Sequence, residues 1–259
     1  MNGNPSKTPK WTVGVITTPR DKGYYLDRTL SSIRQAGLPE PVIFAEPESP
    51  IPTEFLGDVV FRRKQYGDWT NWAAGLYELF LSEPETDYFL MVEDDCVFCK
   101  NLIPYLEYAV PLLPEFAYIS LYTGEKYHYP KIRGFHNQAQ GWDTRSTVCI
   151  LLEAKRVESF LGNVSVMRHR KESIGTQHDN TSKDCVIGKW AETLNLPIYF
   201  HSPSLTEHIG WDSTLLWSVN KGYTDTDYPR SKDFVGEDFD ASQWVKEKFD
   251  VRNKRVLTL

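Results

Sequence analysis

Short apolar runs alternate along this chain with stretches whose apolar residues recur at helical spacing. Trp11 to Thr18 is rich in β-favouring residues and predicts a first strand, ending at the polar turn Pro19-Arg20-Asp21. A helix is expected from about Gly23 to Ala36, with Leu26, Leu30 and Ile33 on one face and Gly37 as its stop. Val42 to Ala45 and Val59 to Phe61 read as strands, separated by a Pro-rich loop over 46–53. Trp69 to Leu81 reads as a helix capped by Asp68, with Trp72, Leu76, Leu79 and Phe80 on its apolar face. Further on, a helix is expected over 101–113, strands over 116–121, 147–152 and 198–200, and helices over 153–161 and 184–194. The stretches 122–140 and 163–183 read as loops. Strands alternating with helices in this way predict an α/β fold with a mainly parallel central sheet.

The sharpest change in the pattern lies at Tyr88 to Cys96. Tyr88-Phe89-Leu90-Met91-Val92 is unbroken and apolar, as in a strand covered on both faces. It stops at three consecutive acids, Glu93-Asp94-Asp95. An unpaired carboxylate is too costly to bury, so the acids belong at the strand's C-terminal end. Ligands of open α/β sheets bind at that end. Adjacent carboxylates raise one another's pKa unless a cation sits among them. The hard divalent ions Mn2+ and Mg2+ take carboxylate oxygens and keep positions open for phosphate. An acidic turn that caps a helix or solvates a loop fits the bare pattern equally well.

Composition narrows the field. With 259 residues, 41% hydrophobic and 25% charged, the chain is of soluble globular type and long enough for a sizeable core. A net charge of -6 and a pI near 5.6 argue against a general binder of nucleic acid or acidic membranes. The aromatic content of 14% suits sugar faces, but cores use aromatic rings as well. No segment is long and apolar enough to span a bilayer. The polar residues 1–10 read as a flexible lead without a signal peptide, which makes a cytoplasmic location the expectation. Cys96-x-x-Cys99 has no second cysteine pair to complete a zinc site and reads as reduced thiols. The glycosylation sequons at Asn163 and Asn180 carry no weight in such a chain.

Several residues together resemble the GT-A glycosyltransferases, and within them the N-acetylglucosaminyltransferase of N-glycan cores. They are Val13-Gly14-Val15-Ile16 with its polar turn, Trp72-Ala73-Ala74-Gly75-Leu76, Val92-Glu93-Asp94-Asp95, and the Asp184 helix ahead of Pro203-Ser204. Val-Glu-Asp-Asp is similar to that enzyme's version of the DxD motif. Gly141-Trp142 resembles the family's acceptor-side glycine loop, and Glu207-His208-Ile209-Gly210 its C-terminal histidine segment. The resemblance implies a GT-A, Rossmann-like nucleotide-diphospho-sugar transferase fold over 11–222. Residues 11–100 would form the nucleotide-sugar half and 101–222 the acceptor half. Residues 223–259 would be a C-terminal appendage, either wrapped on the body or partner-binding.

It also implies roles. Asp95 and His208 would ligate Mn2+ or Mg2+, and imidazole suits Mn2+ better. Glu93 and Asp94 would touch ribose, base or metal-bound water. Thr17, Thr18, Pro19 and Arg20 would hold the nucleoside, with Asp68 and Asn71 adding polar contacts. Gly141 and Trp142 would line a sugar. Asp184 would be the base of an inverting transfer, with Glu207 as second choice. Each has a plainer alternative: a loop histidine for His208, a helix cap for Asp184 and Asp68, a core ring for Trp142. The basic run at 168–171 reads as a solvated loop. The expected reaction moves a sugar from a UDP-sugar to a hydroxyl of a glycan, a lipid-linked sugar, a protein or a small molecule. Transfer to a modified nucleic-acid base and a non-catalytic carbohydrate- or nucleotide-sugar-binding protein are the rivals. A sugar-phosphate nucleotidyltransferase is disfavoured, because Thr17-Thr18-Pro19-Arg20 lacks that family's glycines.

Overall fold

The computed structural model describes residues 8–20, 24–138, 147–169, 183–210 and 230–246. Its main sheet holds β1 (Trp11–Thr17), β2 (Val42–Ala45), β3 (Val59–Phe61), β4 (Tyr88–Glu93), β6 (Tyr118–Ser120), β7 (Gly134–Gln138), β8 (Cys149–Glu153) and β9 (Ile198–Ser202). Their order is β3-β2-β1-β4-β8-β6-β9-β7. Six of these strands run one way, and β8 and β7 run against them. The sheet is therefore mainly parallel. The short strands β5 (Cys96–Phe98) and β10 (Thr206–His208) form a separate antiparallel pair.

Alternation along the strands builds two apolar layers. Leu90 and Val92 of β4 join Val13, Val15, Ile43 and Leu151 on one face. There they meet α1 (Leu26–Gln35), α3 (Leu102–Ala109) and α7 (Ser242–Lys246) through Leu30, Ile33, Leu106 and Trp244. Phe89 and Met91 point to the other face, with Phe44, Ile150 and Phe200. They meet α2 (Gly67–Ser82), α4 (Ala154–Leu161) and α6 (Lys183–Thr193) through Trp72, Leu76, Phe160 and Trp190. Each such side chain contributes on the order of 2 kcal/mol by leaving water. Burial on both faces is why β4 is apolar at every position before its acids. The helix α2 lies close on the sheet because Gly75 faces Phe44, where a Cβ would come within 2.7 Å of the ring.

Several local expectations change. Asp68 does not cap α2. The helix starts at Gly67, and the buried Glu46, from the loop after β2, accepts from Tyr66 N (2.8 Å) and Gly67 N (2.8 Å). Its negative charge suits the helix's positive end. The stretch 122–140 contains β7, and 163–183 contains the short α5 (Val164–Met167). The helix expected from Asn101 is α3 followed by a single 3-10 turn over Val110–Leu112. All four cysteines are free thiols. Among the described residues no helix is long and apolar enough to cross a membrane.

His201 ties the C-terminal end of β9 to α3. Pro203 O can only accept, so His201 Nδ1 donates to it (2.6 Å), and Tyr105 Oη donates to Nε2 (2.8 Å). Burial pushes the ring's pKa from 6.5 down to about 3. The unfolded chain therefore takes up this proton first. The stabilising effect is complete above the unfolded pKa near 6.5 and is lost as pH falls towards 3. The melting temperature should drop across that window, and more steeply in the wild type than in His201→Gln. Equal pH slopes for the two proteins would contradict the assignment.

Candidate functional site

The acidic turn sits where β4 leaves the core. Glu93 is half-buried, and Asp94 and Asp95 are buried at 4% and 1% exposure. Backbone bonds fix the turn. Glu93 N donates to Val148 O (2.9 Å), Thr29 Oγ1 donates to Asp94 O (2.7 Å), and Ile209 N donates to Asp95 O (2.8 Å). The last bond brings in β10, which follows the Pro203-Ser204 turn after β9 and pairs His208 with Cys96.

Two cations answer part of the negative charge. Arg20 lies across both aspartates, with Nη2 2.5 Å from Asp94 Oδ1 and 2.7 Å from Asp95 Oδ2. Thr17 Oγ1 donates to Asp94 Oδ2 (2.5 Å). The buried Lys183, at the start of α6, bonds Asp68 Oδ1 (2.9 Å) and Glu93 Oε1. Burial lowers the basicity of Arg20, but Asp95 and Asp94 outweigh it and raise the pKa well above the usual value. Burial also works against charged Lys183, and Asp68 and Glu93 more than restore it. Asp94 is raised, chiefly by burial and despite Arg20. Burial alone would raise Asp95 too, yet His208 and Arg20 hold it well below the carboxylate range. Among the described residues, the carboxylates Glu93, Asp94, Asp95 and Asp68 are met by the cations Arg20 and Lys183.

Glu93, Asp95 and His208 each present one ligand atom, and the three atoms lie within 4.8 Å of one another. His208 Nε2 is 3.0 Å from Asp95 Oδ1 and 3.9 Å from Glu93 Oε2. Asp95 Oδ1 is buried, and His208 Nε2 is the polar atom that approaches it. Two lone-pair atoms converging in this way suit a shared cation. The mixed oxygen and nitrogen set fits Mn2+, and Mg2+ less well. Burial disfavours the His208 imidazolium, but Asp95 favours it more and raises the pKa. A metal ion and that proton therefore compete for the ring. Gly210 closes over the cluster, and a Cβ there would lie 2.1 Å from Asp95 Oδ2.

The other residues singled out in the sequence fall in different places. Thr18 is half-buried and Pro19 exposed at the end of β1, beside Arg20. Asp68 reaches the cluster through Lys183. Asn71 is turned elsewhere: Oδ1 accepts from Arg62 Nε (2.7 Å) and Nδ2 donates to Phe44 O (3.0 Å). Asp184 stands next to Lys183 in the first turn of α6, and its Oδ1 accepts from Thr147 Oγ1 (2.7 Å) and Thr147 N (3.1 Å). Gly141 and Trp142 lie outside the described residues, as does the second half of the basic run 168–171. His169 packs edge-on against Trp69, with ring centroids 5.3 Å apart. Lys183 carries no local sequence signal. Its partners lie 90 and 115 residues away, so no local pattern marks it.

No protein-family model matches the chain, and no curated protein matches it. Among solved structures it is similar to a mutant Drosophila beta-1,4-galactosyltransferase 7 in complex with manganese, UDP-Gal and xylobiose. The TM-score is 0.43 at 9% identity, over 78% of this chain and 71% of that chain.

The space over Asp95 gives a direct check. Gly210→Ala should push the Asp95 carboxylate off its position and weaken Mn2+ binding by at least about tenfold. Isothermal titration with Mn2+ measures it, and wild-type affinity in a folded Gly210→Ala protein would contradict the arrangement.

Proposed function

We propose that this chain is a metal-dependent glycosyltransferase of GT-A type, transferring a sugar from a UDP-sugar to an acceptor hydroxyl. The convergence of Glu93, Asp95 and His208 at the C-terminal end of β4 carries the reading. An acidic turn that merely caps a helix has no need of a half-buried histidine opposite it. In this proposal Asp95, His208 and Glu93 hold Mn2+ or Mg2+. When bound, the ion neutralises the diphosphate leaving group as the glycosidic bond breaks.

The remaining roles belong to the chain itself. Arg20 and Thr17 fix Asp94 and Asp95, so the acids keep one geometry whether or not substrate is present. The end of β1 at Thr18 and Pro19 lies beside them and is the proposed nucleoside wall, with Asp94 facing ribose. Lys183 joins the start of α6 to the start of α2 and to the acidic turn, and Asp184 follows it in the chain. Asp184 is the proposed base. Two donors from Thr147 orient its carboxylate, and its half-exposed position leaves it reachable by an acceptor hydroxyl. An inverting transfer follows from that role. Gly141 and Trp142 remain the proposed lining for the sugar. Binding by Mn2+-bridged diphosphate places no demand on a basic surface, in keeping with the net charge of -6.

Asp184→Asn should keep Mn2+-dependent UDP binding and lose transfer or donor hydrolysis by at least about a hundredfold. Release of UDP in a coupled assay reads the rate. An unchanged rate would remove Asp184 from the chemistry.

A further inference from the structure

The strand that carries His208 is too short to hold itself. β10 pairs with β5 over three residues, and an isolated two-stranded ribbon is marginal in water. A later segment of the chain holds it in place. Adjacent residues of a strand point to opposite faces, so Glu207 faces away from the acidic turn while His208 faces it. On that outer face the Glu207 carboxylate gathers three donors. Oε1 accepts from Ser231 N (2.8 Å) and His208 N (2.9 Å), and Oε2 accepts from Ser231 Oγ (2.9 Å). Arg230 Nη1 donates to His208 O (2.6 Å).

The segment is anchored beyond these contacts. Lys232 N donates to Thr123 O (2.8 Å), and Val235 N donates to Ser204 O (3.3 Å). Lys100 exchanges bonds with Phe239 O (2.9 Å) and Ala241 N (2.9 Å). Trp244 is buried with its ring 4.8 Å from that of Tyr105. The strap therefore ends in the main core and starts on the strand that bears the histidine.

We propose that Ser231, acting through Glu207, and Arg230, bonded to His208 O, position His208 for the divalent cation. Glu207 is then a positioning residue whose carboxylate is committed to Ser231, and residues 230 and 231 complete the support of the metal site. This inference rests on the metal reading of Glu93, Asp95 and His208. Loss of the Glu207 carboxylate removes the acceptor shared by His208 N, Ser231 N and Ser231 Oγ and so unties Ser231 from β10. Groups that orient a metal ligand in this way typically change affinity by about ten- to a hundredfold.

The test uses the full chain and the electron paramagnetic resonance signal of free Mn2+ to measure the dissociation constant, with thermal melting alongside. Glu207→Ala should weaken Mn2+ binding by about tenfold or more. Ser231→Ala should act in the same direction and less strongly, and Glu207→Gln, which keeps a carbonyl acceptor, should recover part of the loss. In a His208→Ala background, Glu207→Ala should cost nothing further, because the residue it positions is gone. Equal losses in both backgrounds would overturn the proposal in favour of a general effect on the fold. Wild-type affinity in Ser231→Ala and Glu207→Ala proteins of normal melting temperature would overturn it while leaving the metal reading intact. If Glu207→Ala does not fold, wild-type affinity in a folded Ser231→Ala protein overturns it alone. A wild-type chain that binds no Mn2+ defeats both the metal reading and the inference.

Discussion

Three successive carboxylates at the buried end of a strand repel one another, and the rest of this structure is arranged around that repulsion. Burial makes the problem worse, since a charged oxygen loses water as well as gaining like neighbours. Asp95 is nonetheless held far towards the ionised form, and Arg20 and His208 are the cause. Lys183 answers Glu93 and Asp68 from the opposite side. These compensating charges come from the end of β1, the start of α6 and the strand β10. Elements far apart in the chain meet because each brings a group the acids require.

The fold supplies the meeting point. Parallel β1 and β4 end together, so Thr17 and Arg20 reach the acids directly. The reversed strand β8 lies on the other side of β4 and brings Val148 and Thr147 to the same end. Thr147 then receives Asp184. The small β5–β10 pair adds His208 and closes the turn with Gly210, whose lack of a side chain is what lets the backbone lie against Asp95. Buried counter-ions of this kind are weak contributors to net stability and strong determinants of a single geometry, which is what a metal site needs.

Much of this was legible in the sequence, for identifiable reasons. The strands β1, β2 and β4 showed as apolar runs because they are largely covered on both faces, while β3 is a short apolar run at the sheet edge with Phe61 exposed. The acids marked the end of β4 because nothing else in so apolar a run could have stopped it. What could not be read was set by partners distant in sequence. β7 is an edge strand with His136 and Asn137 in it, and β5 and β10 are three residues each, too short for any period. The cap of α2 is Glu46, about twenty residues before the helix, so Asp68 took the role on local pattern alone. Arg20 reads from the sequence as a nucleoside contact, and its pairing with Asp94 and Asp95 adds a counter-charge role that no local pattern shows. Lys183 had no local signature. His208 was legible only through the resemblance of Glu-His-Ile-Gly, and its place beside Asp95 depends on the long-range pairing of β10 with β5.

The central claim is that the acids and His208 hold a cation that in turn holds a nucleotide diphosphate. Calorimetric titration of UDP into the protein, with and without Mn2+, tests it most directly. The account predicts binding that requires Mn2+ and that disappears in Asp95→Ala. UDP binding of equal strength without the metal, or none with it, would contradict the account.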